Sequence, residues 1–143
     1  MPQLSELDQH ECLTLLRAGW FGRFAVQTDQ GPLIVPVNYV VRDDTVVARI
    51  APLGVLARHG DQAPVSFEVD LVDDERWQGW SVIARGRGVV VPAAQSSGGP
   101  NARPWAAGDR SHELHLTWTE LSGRRIGTGW DMLAALRTKR VAP

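Results

Sequence analysis

The chain has 143 residues, 43% of them hydrophobic and 22% charged, the size and composition of one soluble globular domain. Its 15 Lys and Arg against 16 Asp and Glu give a net charge of -1, without the basic excess of proteins that grip a nucleic-acid backbone, so no nucleic-acid partner is expected. Cys12 is the only cysteine, which excludes an intramolecular disulfide and suits a reducing compartment.

No apolar run approaches the ~18 residues of a membrane span. Glu6, Asp8 and Glu11 stand near the start with no basic stretch before an apolar one, which is not the pattern of a signal peptide. The expectation is a cytoplasmic protein with no membrane partner.

In chain order, residues 5–18 predict a helix. Ser5 is placed to cap it, with Asp8 three residues on in the manner of a capping box. Leu4, Leu7, Leu15 and Leu16, with Cys12 between, fall near one face. Gly19 follows, where a left-handed residue commonly ends a helix. The period then changes. Residues 21–28 are rich in strand formers and lead into the turn signal Asp29-Gln30-Gly31. Residues 33–41 predict a second strand, in which Pro36 points to an edge or a bulge because proline has no N–H for a central ladder. After Arg42-Asp43-Asp44, residues 45–50 predict a third strand, and residues 53–59 one or two helical turns broken by Gly60-Asp61-Gln62.

Residues 64–72 alternate Val65, Phe67, Val69 and Leu71 with Ser66, Glu68 and Asp70, the pattern of a strand with one apolar face. Residues 79–92 predict a strand long enough to bend, with Gly86 and Gly88 as the bend points. Residues 93–110 have a loop composition, and a loop that long inside a compact domain usually serves function or moves. Residues 112–120 alternate Leu114, Leu116 and Trp118 as a last strand, and from Gly129 a short helical tail runs into basic residues. One helix, about six strands and short turns favour a barrel or sandwich over a parallel α/β sheet.

Four stretches carry a family resemblance: Gly22-Arg23-Phe24-Ala25-Val26, Pro36-Val37-Asn38-Tyr39-Val40, Pro64-Val65-Ser66-Phe67-Glu68-Val69-Asp70, and Gly79-Trp80-Ser81-Val82. In order and spacing the set resembles the pyridoxamine 5'-phosphate oxidase-like proteins, especially the small bacterial branch near the nitroimidazole-resistance proteins. Gly123-Arg124-Arg125-Ile126 is similar to the end of that branch's domain, so residues 1–126 form the domain and 127–143 a basic tail. The resemblance implies a mainly β, six-stranded split β-barrel with an N-terminal helix and short accessory helices. It also implies a homodimer with two flavin sites at the subunit interface, the flavin being FMN.

By position, the resemblance assigns Pro36, Val37 and Asn38 to backbone contacts with the isoalloxazine edge, and Arg49, Ile50 and Ala51 to the ribityl chain. Gly54 and Val55 fall at the phosphate turn, and Trp80 with Ser81 comes against the ring. The implied activity is that of an FMN-dependent oxidoreductase, passing a hydride between the flavin and a small or nitro-aromatic substrate; the cofactor carries the chemistry and the protein positions it. Two departures stand out. Ile50 occupies a place where the family commonly has Thr or Ser, and Val55 one where it commonly has Lys. Arg49, Arg58, or Arg124 and Arg125 of a partner subunit are the substitutes for these phosphate donors. The alternatives are a flavin-free binding or structural dimer on the same fold, and a relative that uses a deazaflavin or haem in the same groove.

Other features carry less. His112 and His115 have a metal-ligand spacing, but on a strand they face opposite sides, so no metal site is expected. Cys12 reads as a small buried hydrophobe. Asp73-Asp74-Glu75 reads as a turn, and the basic tail as a solvated end. Six tryptophans serve either a dimer interface or a small core.

Overall fold

Apolar and polar residues alternate through most of the chain, and that period resolves into one antiparallel sheet. The computed structural model describes residues 3–96 and 108–127. The strands are β1 (Leu4–Glu6), β2 (Phe21–Thr28), β3 (Gly31–Asn38), β4 (Val40–Arg42), β5 (Thr45–Ile50), β6 (Pro64–Asp73), β7 (Gln78–Pro92) and β8 (His112–Ile126). They are hydrogen-bonded in the order β3-β2-β6-β7-β8-β5-β4, with β1 added to β8. The mainly β class is as expected. The described residues form eight strands where six were expected, and the path through them does not close, since β3 and β4 stand at its two ends.

The two extra strands are the three-residue β1 and β4. Residues 33–41 do not form one strand because the chain leaves the ladder at Tyr39, whose N–H donates to the Trp20 carbonyl. Pro36 lies on β3, at the end of the path, where a missing N–H is tolerated. The expected bend in β7 appears as a register shift between Arg85 and Gly86. The last strand continues past Glu120 to Ile126, and β1 pairs with that extension through Ser5↔Arg125. No helix among the described residues is long and apolar enough to cross a membrane.

Pairing within β1 takes Ser5 away from the helix cap. Asp8 is the cap of α1 (Gln9–Ala18): it accepts from the Glu11 N–H at 2.8 Å, and its own N–H donates to the Glu11 carboxylate at 3.2 Å. Gly19 ends the helix in extended backbone, not the left-handed form expected. Glycine is needed there for space, because a Cβ would run into the Tyr39 hydroxyl. That hydroxyl donates to the Leu16 carbonyl at 2.6 Å, satisfying one of the acceptors a helix end leaves free. Cys12, Leu15 and Leu16 are buried against the sheet, and Cys12 is the small hydrophobe its position suggested.

The core packs Phe24 and Tyr39 onto Phe67, with ring centroids 5.0 and 4.6 Å apart, over Val46, Ala48, Val82, Leu114 and Leu116. Trp80 belongs to this core, whereas Trp77 is 73% exposed. The short helix α2 (Val55–Gly60) lies where β7 carries glycine. A Cβ on Gly88 would collide with the Gly60 carbonyl, and the backbone of Gly88 bonds both Gln62 and Ala63 at 2.8 and 2.9 Å. This contact fixes the C-terminal end of α2 and so aims its N-terminal end.

On the opposite face of the sheet a buried carboxylate ties β4 to β8. Glu113 is 1% exposed, and Arg42 reaches its two oxygens from Nη1 and Nη2 at 3.2 and 3.3 Å. His115 Nε2 lies 2.9 Å from the same carboxylate, and Arg42 Nη1 also donates to Ser96 Oγ at 2.7 Å. Burial pushes the Glu113 carboxyl upward, but hydrogen bonds from Ser96, His115 and Arg42, with the Arg42 charge, outweigh it and hold it below its ordinary value.

Two outcomes follow for stability. Gly88→Ala should cost about 1–3 kcal/mol in urea unfolding, because the added methyl has no room; an unchanged midpoint would show that α2 is not held through this contact. Glu113 is lower in the folded state, so its stabilisation is present above about pH 4.5 and is lost as pH falls through the folded value. Glu113→Gln should therefore lose about 1–3 kcal/mol at pH 7 and show a shallower acid loss than the parent in denaturation series between pH 7 and 3.

Candidate functional site

The ends of β3 and β5 and the start of α2 enclose a cleft of about 250 Å³. Alternation along β5 assigns its two residues there to different tasks. Ile50 turns inward and is 4% exposed, whereas Arg49 turns to the outer face opposite Glu113. Ala51 and Gly54 carry the chain around to Val55, which opens α2. From β3 come Pro36, Val37 and Asn38, with Phe21 paired across from Asn38. Val35 and Leu56 complete the apolar wall. Among the described residues no carboxylate lines this cleft.

Eight of the twelve residues named from the sequence therefore meet in one place: Pro36, Val37, Asn38, Arg49, Ile50, Ala51, Gly54 and Val55. The other four do not join them within the chain. Trp80, Ser81, Arg124 and Arg125 line a second cleft of about 450 Å³ at the far ends of β7 and β8. There Trp80 is opposite Arg125 and Ser81 opposite Arg124, beside the exposed Leu4, Val72, Trp77 and Ile126. The Trp80 indole N–H is buried with no acceptor among the described residues, a costly state for a donor. Arg125 is occupied locally, its Nη1 3.7 Å from the Glu11 carboxylate and its Nε donating to Ser5 Oγ.

A charged ladder spans the sheet between the two clefts. Pro36 of the first cleft is paired with Arg23, and Arg23 with Glu68. Arg23 Nη1 lies 2.7 Å from Glu68 and 3.5 Å from Asp70, which lines the second cleft. Burial, then the Asp70 charge, raises the Glu68 carboxyl above its ordinary value against the pull of Arg23. Neither histidine of the metal-like pair meets the other: His115 bonds Glu113, and His112 bonds Ser111. Among the described residues no three His, Cys, Asp or Glu side chains are placed to share a metal.

Four lining residues were absent from the site expected from the sequence: Phe21, Val35, Leu56 and the charged Arg110. Arg110 stands beside Arg49 in the lining of the first cleft, and the Nε of Arg49 donates to its carbonyl at 2.8 Å. Its position at the end of a Ser-, Gly-, Pro- and Ala-rich stretch concealed it. Only the pairing of Ile50 with His112, two residues later, brings it to β5.

Comparison with known proteins agrees with this architecture. The family model described as pyridoxamine 5'-phosphate oxidase matches residues 8–125. A solved FAD-binding protein from Mycobacterium smegmatis is 30% identical, superposes with a TM-score of 0.67, and is matched over 86% of this chain and 98% of its own. A Corynebacterium glutamicum structure, a candidate pyridoxamine 5'-phosphate oxidase, is 25% identical with a TM-score of 0.66, over 89% of this chain and 96% of its own. An uncharacterised protein of Mycobacterium tuberculosis is 35% identical over 94 residues, and the match spans 62% of each chain, less than two thirds of that relative's length. The chain belongs to the pyridoxamine 5'-phosphate oxidase family.

Proposed function

We propose that this protein is a flavin-dependent oxidoreductase that holds its flavin in the cleft between β3, β5 and α2. The observation that carries the proposal is the composition of that cleft: an apolar wall with two arginines and, among the described residues, no carboxylate. A planar apolar ring with an anionic tail matches such a lining. When bound, a flavin supplies hydride and electron transfer, and the chain needs only to position it and exclude water. The backbone at Pro36, Val37 and Asn38 lies along the ring edge, and the turn at Ala51 and Gly54 lies along the ribityl chain and phosphate. The substrate is a small or nitro-aromatic molecule, not a nucleic acid. FMN is the flavin the resemblance implies; FAD is the one named for the Mycobacterium smegmatis protein, and both belong in the test.

The site is shared between two copies of the chain. A cleft of about 250 Å³ is below the roughly 300–1,000 Å³ of ligand sites that enclose their ligand, so one copy holds only part of a flavin. The end strand β3 exposes Ile34 to 64% and Leu33 to 42%, apolar surface that a second copy would cover. In the dimer, Ser81, Arg124 and Arg125 of the second copy face the open side of the first cleft, with Trp80 behind them in the core of its own chain.

A flavin-free dimer on the same fold is the second reading, favoured by Ile50 and Val55. Ile50 is committed to the core, and Val55 carries no donor. The visible spectrum separates the two. Protein incubated with FMN or FAD and then desalted should retain a flavin spectrum near one equivalent per chain. Colourless protein after both incubations would favour the flavin-free dimer.

A further inference from the structure

We propose that Arg110, held in place by Arg49, binds the phosphate of the flavin and makes the cleft select phosphorylated flavins over riboflavin. The inference rests on the flavin reading above and assigns its anionic end. The phosphate donors expected at positions 50 and 55 are absent, since Ile50 is packed into the core and Val55 is aliphatic. Two arginines, Arg49 and Arg110, line the cleft in their stead, alongside its apolar residues.

Their charges are not spent elsewhere. No carboxylate among the described residues forms an ion pair with Arg49 or Arg110. The acid that could compete for Arg49 is Glu113, directly across the β5–β8 pair. Arg42 already engages both of its oxygens and His115 a third contact, so Glu113 is saturated. The Asp109 carboxylate, next in sequence to Arg110, accepts from the Ser111 N–H at 3.0 Å. Arg49 uses its Nε on the Arg110 carbonyl at 2.8 Å, which fixes the backbone from which the Arg110 side chain projects. Arg49 is thus a positioning residue as well as a cation, and Arg110 is the direct donor. A guanidinium suits this role because it offers paired N–H groups to two phosphate oxygens. The monophosphate of FMN and the pyrophosphate of FAD share this chemistry.

The test is a fluorescence titration of riboflavin, FMN and FAD against the full chain and against Arg110→Ala, Arg110→Lys and Arg49→Ala. The parent should bind FMN or FAD at least tenfold more tightly than riboflavin; the tighter of the two identifies monophosphate or pyrophosphate as the ligand. Arg110→Ala should lose on the order of tenfold to a hundredfold in affinity for the phosphorylated flavin while riboflavin affinity stays within twofold, which also shows that the variant is folded. Arg110→Lys should recover part of the loss, and Arg49→Ala should show the same selective loss. A parent that binds all three flavins equally, or an Arg110→Ala variant that weakens riboflavin and FMN alike, would overturn the assignment and leave the flavin cleft standing. Failure of all three flavins to bind would remove the flavin reading and this assignment together.

Discussion

The pairing of β7 with β8 is the constraint on which the other parts of the structure depend. The two strands run together from Gly79↔Ile126 to Pro92↔His112, broken only by the shift at Arg85 and Gly86. A ladder that long cannot stay flat, and the bulge lets it bend so that its two halves serve different neighbours. The first half of β8 takes β5, while its last residues take β1. β6 pairs along the other side of β7, and through β2 it leads to β3. Because β5 and β3 are reached by opposite routes from this ladder, the cleft between them exists only while the bend is kept. Gly88, in the second half of β7 opposite Leu116, admits the end of α2 and completes the cleft's third side.

Charge is distributed on this frame with similar economy. A carboxylate buried as deeply as Glu113 must be neutralised, and Arg42 does so from β4 while His115 adds a hydrogen bond from β8. The arginine directly opposite Glu113 is thereby left to other work, and it turns toward the Arg110 carbonyl and the cleft. On the sheet face that carries the Arg23 ladder, Arg23 is shared between Glu68 and Asp70, so that surface carries compensated charge between two apolar clefts.

Much of the fold was legible in the sequence, for reasons that individual residues make plain. Strand β6 alternates strictly and was placed to within one residue, and β5, a run of strand formers after a turn signal, was placed without error. The glycines at 86 and 88 marked the bend in β7; the shift falls at Gly86, and Gly88 serves instead the close approach of Gly60. What stayed hidden depended on partners distant in sequence. β1 is a strand only because Arg124, Arg125 and Ile126 lie beside it, and no local propensity in Leu4-Ser5-Glu6 announces that. Ser5 was a credible cap until that pairing claimed it. The site followed the same rule. The residues on β3, β5 and the following turn line one cleft, because they are joined by short connections. Arg110 was missed because only the β5–β8 register brings it to them, and Trp80, Ser81, Arg124 and Arg125 stand apart because nothing within one chain carries them across.

The central claim is that the β3–β5–α2 cleft is the cofactor site, and hydrogen–deuterium exchange with and without FMN tests it most directly. Bound flavin should slow exchange in peptides covering residues 35–38 and 49–56, the walls of the cleft. Protection confined to other segments, with these two unchanged while flavin is demonstrably bound, would contradict the account.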